Sequence, residues 1–235
     1  MSDTGDPDAG DAGNVDASLD SGPDVGPSTR IGGNIYNFSI SGGIVAGATV
    51  EVLDAPHISA QSDSNGHFEL DVVRGTAFTL KMQFTGFMES ITGTHTAAGE
   101  RMEDVNFQAP DTAMFELMTK IADIVPNPGR CQIATTVNPK GDPGHGEPDA
   151  TVTIEPPLPG RYGPIYFAQV SERVIYPDRS LEKTSKDGGV LFVNVPPGVY
   201  TLTAHKEGME FLQATVRCIP GLIVNAAPPR SLMAK

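Results

Sequence analysis

The sequence predicts an all-β protein: two tandem antiparallel β-sandwiches joined by a short helix, behind an acidic N-terminal segment. Three observations predict it. Apolar and polar residues alternate over short runs such as Thr49-Val50-Glu51-Val52, His67-Phe68-Glu69-Leu70 and Tyr200-Thr201-Leu202-Thr203, the period of a strand with one buried face. Asn65-Gly66, Arg74-Gly75, Asp187-Gly188 and Pro196-Pro197-Gly198 punctuate the runs with residues that suit turns. The pattern also occurs twice. Ala48-Thr49-Val50-Glu51-Val52 returns as Ala150-Thr151-Val152-Thr153-Ile154 at an offset of 102. Asn65-Gly66 returns as Asp187-Gly188, and Phe78-Thr79-Leu80 as Tyr200-Thr201-Leu202, both at 122. Gly86-Phe87-Met88-Glu89 matches Gly208-Met209-Glu210 within one residue of that offset. Copies that agree on both sides of one insertion of about 20 residues mark an internal repeat.

The first segment, residues 1–30, holds seven Asp residues before Arg30, no aromatic residue and frequent Gly and Pro. Too little apolar area is present to offset the entropy of ordering, so a disordered, self-repelling tether is expected. The first sandwich repeat follows at 31–110. Residues 111–126 form the linker, where Phe115, Met118, Ala122 and Val125 recur at helical spacing. Asp111 caps its start and Pro126 ends it. Its Met-bearing stripe either packs as core or receives an apolar ligand. The second sandwich repeat spans 127–229 with its insertion at 158–178, and 230–235 form a C-terminal tail.

Composition limits the function. No run of about 18 apolar residues occurs, which excludes a hydrophobic membrane-spanning helix. A net charge of -13 and 16 dispersed Lys and Arg residues argue against a nucleic-acid partner.

Two family resemblances add to this. The second repeat carries Asp149-Ala150-Thr151-Val152, then Lys186-Asp187-Gly188-Gly189-Val190-Leu191-Phe192-Val193-Asn194-Val195-Pro196-Pro197-Gly198-Val199-Tyr200-Thr201-Leu202, then Gly208. It resembles the carboxypeptidase-regulatory-like, transthyretin-like β-sandwich family. The first repeat keeps Gly47-Ala48-Thr49-Val50, Asn65-Gly66-His67-Phe68 and Gly75, but has Val73-Arg74 in place of the paired prolines and Phe78 in place of the tyrosine. The resemblance implies a non-catalytic accessory or stalk module on an exported protein. The Asp/Gly/Pro-rich start resembles the segment after the lipid-carrying cysteine of bacterial surface lipoproteins. That implies an extracytoplasmic place at the cell surface or in the periplasm, with Met1 standing where a lipidated Cys stands in the precursor. Membrane contact would then run only through the lipid.

Cys131 and Cys218 bracket the second repeat, and antiparallel neighbours in a sandwich bring such a pair within reach of a disulfide. Two separate buried thiols are the other reading. The five histidines, at 57, 67, 95, 145 and 205, have no short metal-ligand spacing; His145 in Gly141-Asp142-Pro143-Gly144-His145-Gly146-Glu147 looks most like a site, or an exposed turn. Asp63-Ser64-Asn65-Gly66-His67-Phe68-Glu69 alternates oxygen donors but lacks the third acidic or amide ligand and the distant Glu of a calcium loop. Lys81, with Asn34 and Asn106 in the same repeat, leaves open a Lys to Asn isopeptide; an edge lysine against aggregation is the alternative. The tail Pro228-Pro229-Arg230-Ser231-Leu232 lacks the Tyr and Gly of a hydroxyisourate hydrolase tail, and no close His pair accompanies the tyrosines as in an intradiol dioxygenase. No nucleophile elbow, phosphate loop or dinucleotide glycine pattern occurs.

The insertion holds three of the five tyrosines. Tyr162, Tyr166, Phe167 and Tyr176 are the candidate ligand-binding residues, because rigid amphipathic aromatics suit recognition. An extended hairpin that only covers its own sandwich is the competing reading. The expected function is a non-catalytic extracytoplasmic structural or binding module, probing a protein or polysaccharide partner, with no cofactor. Two alternatives stand beside it: a metal- or ligand-dependent enzyme assembled between the sandwiches with His145, His205 or the tyrosines, and a subunit of a larger surface assembly.

Overall fold

The computed structural model describes residues 26–38, 43–171 and 174–235, so the greater part of the predicted tether lies outside the described residues. The first half contributes β1 (Ser28–Phe38), β2 (Thr49–Val52), β3 (Ala55–Gln61), β4 (His67–Val73), β5 (Ala77–Phe78), β6 (Leu80–Gln83), β7 (Ser90–Thr92), β8 (His95–Thr96), β9 (Arg101–Met102) and β10 (Phe107–Pro110). After α1 (Thr112–Ile121) come β11 (Cys131–Asn138), β12 (Thr151–Glu155), β13 (Ile165–Ser171), β14 (Val174–Asp178), β15 (Gly189–Val195), β16 (Gly198–His205), β17 (Ala214–Cys218), β18 (Ile223–Ala226) and β19 (Leu232–Met233). The all-β, sandwich-like class is therefore as expected. β1 already starts at Ser28, because Thr29 is buried and its hydroxyl donates to the Gly99 carbonyl at 2.7 Å.

Strand pairing runs through both halves. One sheet has the order β14-β13-β15-β11-β18-β7-β6-β2-β3, and the halves meet where β18 runs parallel to β7, Ile223 opposite Ser90 and Val224 opposite Ile91. Two smaller sheets, β10-β1-β4 and β12-β16-β17, cover it.

They lie on opposite faces, and the register decides this, since paired residues share a face and successive residues alternate. The paired Val224 and Ile91 both belong to the core under β12-β16-β17. Met82, paired with Ser90 one position along, belongs to the core under β10-β1-β4. The first core packs Ile31, Ile35, Phe68 and Phe107 against Val50, Leu80 and Met82; the second packs Ile133, Val137 and Phe192 against Val152, Leu202 and Val216. Each such side chain contributes roughly 1.5–3 kcal/mol by leaving water.

Cys131 and Cys218 form a disulfide with Cα atoms 5.5 Å apart. The bridge crosses the core from β11 to β17, joining two facing sheets rather than neighbours in one sheet. Helix α1 begins as expected, with the Asp111 carboxylate accepting from the Met114 N–H at 2.7 Å. Its end differs. The helix stops at Ile121, and Asp123 adopts φ 53°, which breaks the helical spacing. Val125 is consequently 87% exposed, and Ile124 turns inward in its place. Arg179, just after the insertion, donates to the Ala122 carbonyl at 2.9 Å and so caps the helix. Residues 230–235 do not trail away: Leu232 is fully buried and pairs with Val137 on β11.

Candidate functional site

The insertion folds as a short 3-10 turn at Gly160–Tyr162 followed by the β13–β14 hairpin. Successive residues on β13 face opposite ways, and this separates the candidate tyrosines. Tyr166 is 3% exposed in the second core, and its hydroxyl accepts the Val152 N–H at 3.1 Å. Phe167 points to the other face, where it meets Phe38 edge-on at 6.4 Å. Tyr162 sits on the surface between two guanidiniums, with Arg161 at 4.8 Å and Arg130 at 5.9 Å from its ring. Arg161 donates to its hydroxyl and, with that charge, holds it below the usual phenol range. Tyr176 is half-buried opposite Ala168. The four side chains do not converge. Tyr166→Ala should therefore lose about 3 kcal/mol or more of stability in urea denaturation, while Tyr162→Ala and Tyr176→Ala change it by less than about 1.

Where Phe167 points, the structure holds a cavity of about 290 Å³. Its floor is the outer face of the long sheet, with Gln132, Ala134, Thr136 and Asn138 alternating along β11, and Leu191 and Val193 on β15. Phe115, Met118 and Ile124 of the helix region roof it, and Gln108 and Pro110 of the first half close one side. The Met-bearing stripe thus lines a space as well as packing.

The 143–146 loop closes another side and is held by close backbone approach. A Cβ at Gly146 would lie 2.1 Å from the Asp187 carbonyl carbon. Asn138 is 1% exposed; its Nδ2 donates to the His145 carbonyl at 2.6 Å, whereas its Oδ1 is buried with no partner among the described residues. Asp187, in the turn before β15, also lines the cavity, and its carboxylate accepts the Gly189 N–H at 3.0 Å. Burial pushes the Asp187 carboxyl up, and the Gly189 N–H only partly opposes this. Sequence reasoning missed both, since Asp187 reads as half of a turn pair and Asn138 as the end of a strand. The one available signal was the polar and small outer face of β11.

The other candidates are occupied or apart. His145 pairs through Nδ1 with Asp142 at 2.8 Å, and His205 through Nε2 with the Thr153 hydroxyl at 2.9 Å on the far small sheet. His205 borders a broad open groove of about 810 Å³ with Lys183, Lys206, Glu207 and Glu210, remote in the sheet order from the cavity. The Asp63 carboxylate accepts the Asn65 and His67 N–H groups at 2.8 and 2.9 Å; these bonds hold it below its usual range and fix the turn. Lys81 pairs with Glu89 at 3.0 Å, and the Asn106 amide oxygen accepts the Asn34 backbone N–H at 2.9 Å.

His95 is a structural titrating group. Burial and the nearby Arg230 lower it from 6.5 to about 4, and its ring lies 5.7 Å from that of Phe78. Between those values the unfolded chain binds the proton that the folded chain refuses, so stability is full above the unfolded value and falls as pH drops through the window. A loss of up to about 3 kcal/mol between pH 7 and 4 is expected from this group. Urea titrations across that range, compared with His95→Phe, would show the slope reduced in the variant.

Comparison with known proteins matches no family model and no curated protein. Among solved structures, the chain is similar to one in a type II cohesin-X-dockerin complex from Acetivibrio cellulolyticus, at 19% identity over 43% of this chain and 76% of that one, with a TM-score of 0.30. The TIE protein of Bacillus anthracis matches at 16% identity over 88% of this chain and 34% of its own length, TM-score 0.27. The minor pilin of Streptococcus agalactiae matches at 9% identity over 88% of this chain and 95% of that one, TM-score 0.25.

Proposed function

We propose that the chain is a non-catalytic structural or binding module that works outside the cytoplasm. The buried Cys131–Cys218 bridge across the sandwich carries this reading, because core disulfides form and persist in oxidising compartments. The module is read as a duplicated transthyretin-like unit, with repeats at 31–110 and 127–229 about the 111–126 linker. Strand pairing supports the duplication: β1 lies between antiparallel β4 and parallel β10, as β11 lies between antiparallel β15 and parallel β18. Likewise β2-β6-β7 parallels β12-β16-β17 in order.

The Asp-rich start then serves as a tether to a lipid anchor, by its composition. The aromatic insertion presents Tyr162 and Tyr176 to a protein or polysaccharide, with Tyr166 anchoring the hairpin in the second core and Phe167 packing on its opposite face. The full chain, immobilised and offered a polysaccharide array and cell-envelope extract, should retain a partner that the Tyr162→Ala/Tyr176→Ala variant loses. Thiol labelling should find both cysteines blocked after export. Free thiols in the exported protein, or a partner held equally by the double variant, would overturn the reading.

A further inference from the structure

We infer that Arg130, Tyr162 and Arg161 form a binding site for the carboxylate of an acidic polysaccharide, a uronate-bearing chain. The inference rests on the binding reading above and narrows its partner to one class. It stands first on unanswered charge. Among the described residues, the side chains of Arg30, Arg101 and Arg217 pair with carboxylates, and those of Arg74, Arg179 and Arg230 donate to backbone carbonyls. Those of Arg130 and Arg161 meet neither. Their shared partner is Tyr162, whose ring has Arg161 at 4.8 Å and Arg130 at 5.9 Å, and whose hydroxyl accepts from Arg161 at 3.0 Å. In a chain of net charge -13, two guanidiniums on one ring without a carboxylate partner are a local reversal of sign.

Burial sharpens the point. Arg130 is half-buried, and its Nη1 lies inside with no acceptor among the described residues. That nitrogen is beyond a ligand's reach, but the interior leaves the charge uncompensated, so a counter-ion has to come from the solvent side. Arg161 is exposed there, and the aromatic ring holds both cations in place without neutralising either. A guanidinium with one N–H committed to a phenol keeps further donors for a carboxylate.

The surroundings select the carrier of that carboxylate. Residues 127–130 and 219–221 join where the Gly221 N–H donates to the Arg130 carbonyl at 2.9 Å. Residues 196–198 follow Val195, the strand partner of Cys131, and residues 159–164 carry Tyr162. These four segments contain six prolines and no Asp or Glu. Proline offers a carbonyl and no N–H, so the rim is rich in acceptors while the two arginines supply the donors. A uronate matches this division, its carboxylate taking the guanidinium donors and its ring hydroxyls donating to the carbonyls. An Asp- or Glu-rich peptide brings side-chain acceptors alone.

Polygalacturonate is the probe; its fully methyl-esterified form removes the charge and keeps the sugar, and poly-glutamate puts the charge on a peptide. Offered to the immobilised full chain, polygalacturonate should bind saturably, and the ester and poly-glutamate about tenfold or more weaker. Arg161→Gln, at an exposed position, should weaken polygalacturonate by a similar factor without moving the urea midpoint, and Arg130→Gln should add to the loss. Raising salt to about 1 M, where the screening length falls to about 3 Å, should remove most of the binding. No binding of polygalacturonate, an ester held as tightly as the acid, poly-glutamate held more tightly than either, or unchanged affinity in the Arg130→Gln/Arg161→Gln variant would each overturn the assignment. A neutral polysaccharide retained through Tyr162 and Tyr176 alone would overturn it too, and would leave the module reading standing.

Discussion

Replacing Cys131 and Cys218 together by alanine should lower the stability of the chain by about 4 to 5 kcal/mol. The bridge closes a loop of 87 residues, and the unfolded ensemble of the variant regains the entropy that such a loop removes. Both residues are buried between β11 and β17, so the loss falls on the contact between two sheets. Denaturant unfolding of oxidised, reduced and variant protein measures it. The reduced wild type should follow the variant. A loss below about 1 kcal/mol would show that the two sheets are held by side-chain packing alone.

Ile91→Ala should destabilise by about 3 kcal/mol, and it should do so in the half of the molecule to which Ile91 does not belong by sequence. Ile91 is fully buried, lies on β7 of the first half, and packs in the core formed by β11–β19. Removing its side chain leaves a cavity there and weakens the parallel pairing with Val224. Amide exchange should quicken along β18 at least as much as along β6. Acceleration confined to β6 and β7 would show the halves to be energetically separate.

The fold class, the turns at Asn65-Gly66 and Asp187-Gly188, the helix start at Asp111 and the disulfide partners were all legible, because each rests on local chemistry or on a count of two. How the halves join was not. The pairing of β18 with β7 is a contact between segments far apart in sequence, and nothing in Ser90-Ile91-Thr92 distinguishes an edge strand from an interior one. The site was less legible than the fold. Four aromatics in one insertion read as a cluster, but strand alternation sends Tyr166 into the core and Phe167 into the cavity. Asn138 and Asp187 border the same cavity only because β11 and β15 pair, Thr136 opposite Gly189, which brings the end of β11 and the turn before β15 to one side of the sheet. The tail lost its independence for a similar reason, since Leu232 finds a parallel partner in Val137.

The join between β7 and β18 also sets an order of events at the ribosome. Ser90 emerges about 130 residues before Ile223, an interval on the order of ten seconds of translation. Throughout it the nascent first half has an open strand edge and the bare side chain of Ile91, which invites pairing with other chains. A holding chaperone, or passage through an export channel before folding, would protect that edge until the last strands arrive. Chains truncated before residue 223 should accumulate as aggregates rather than as a stable half-protein.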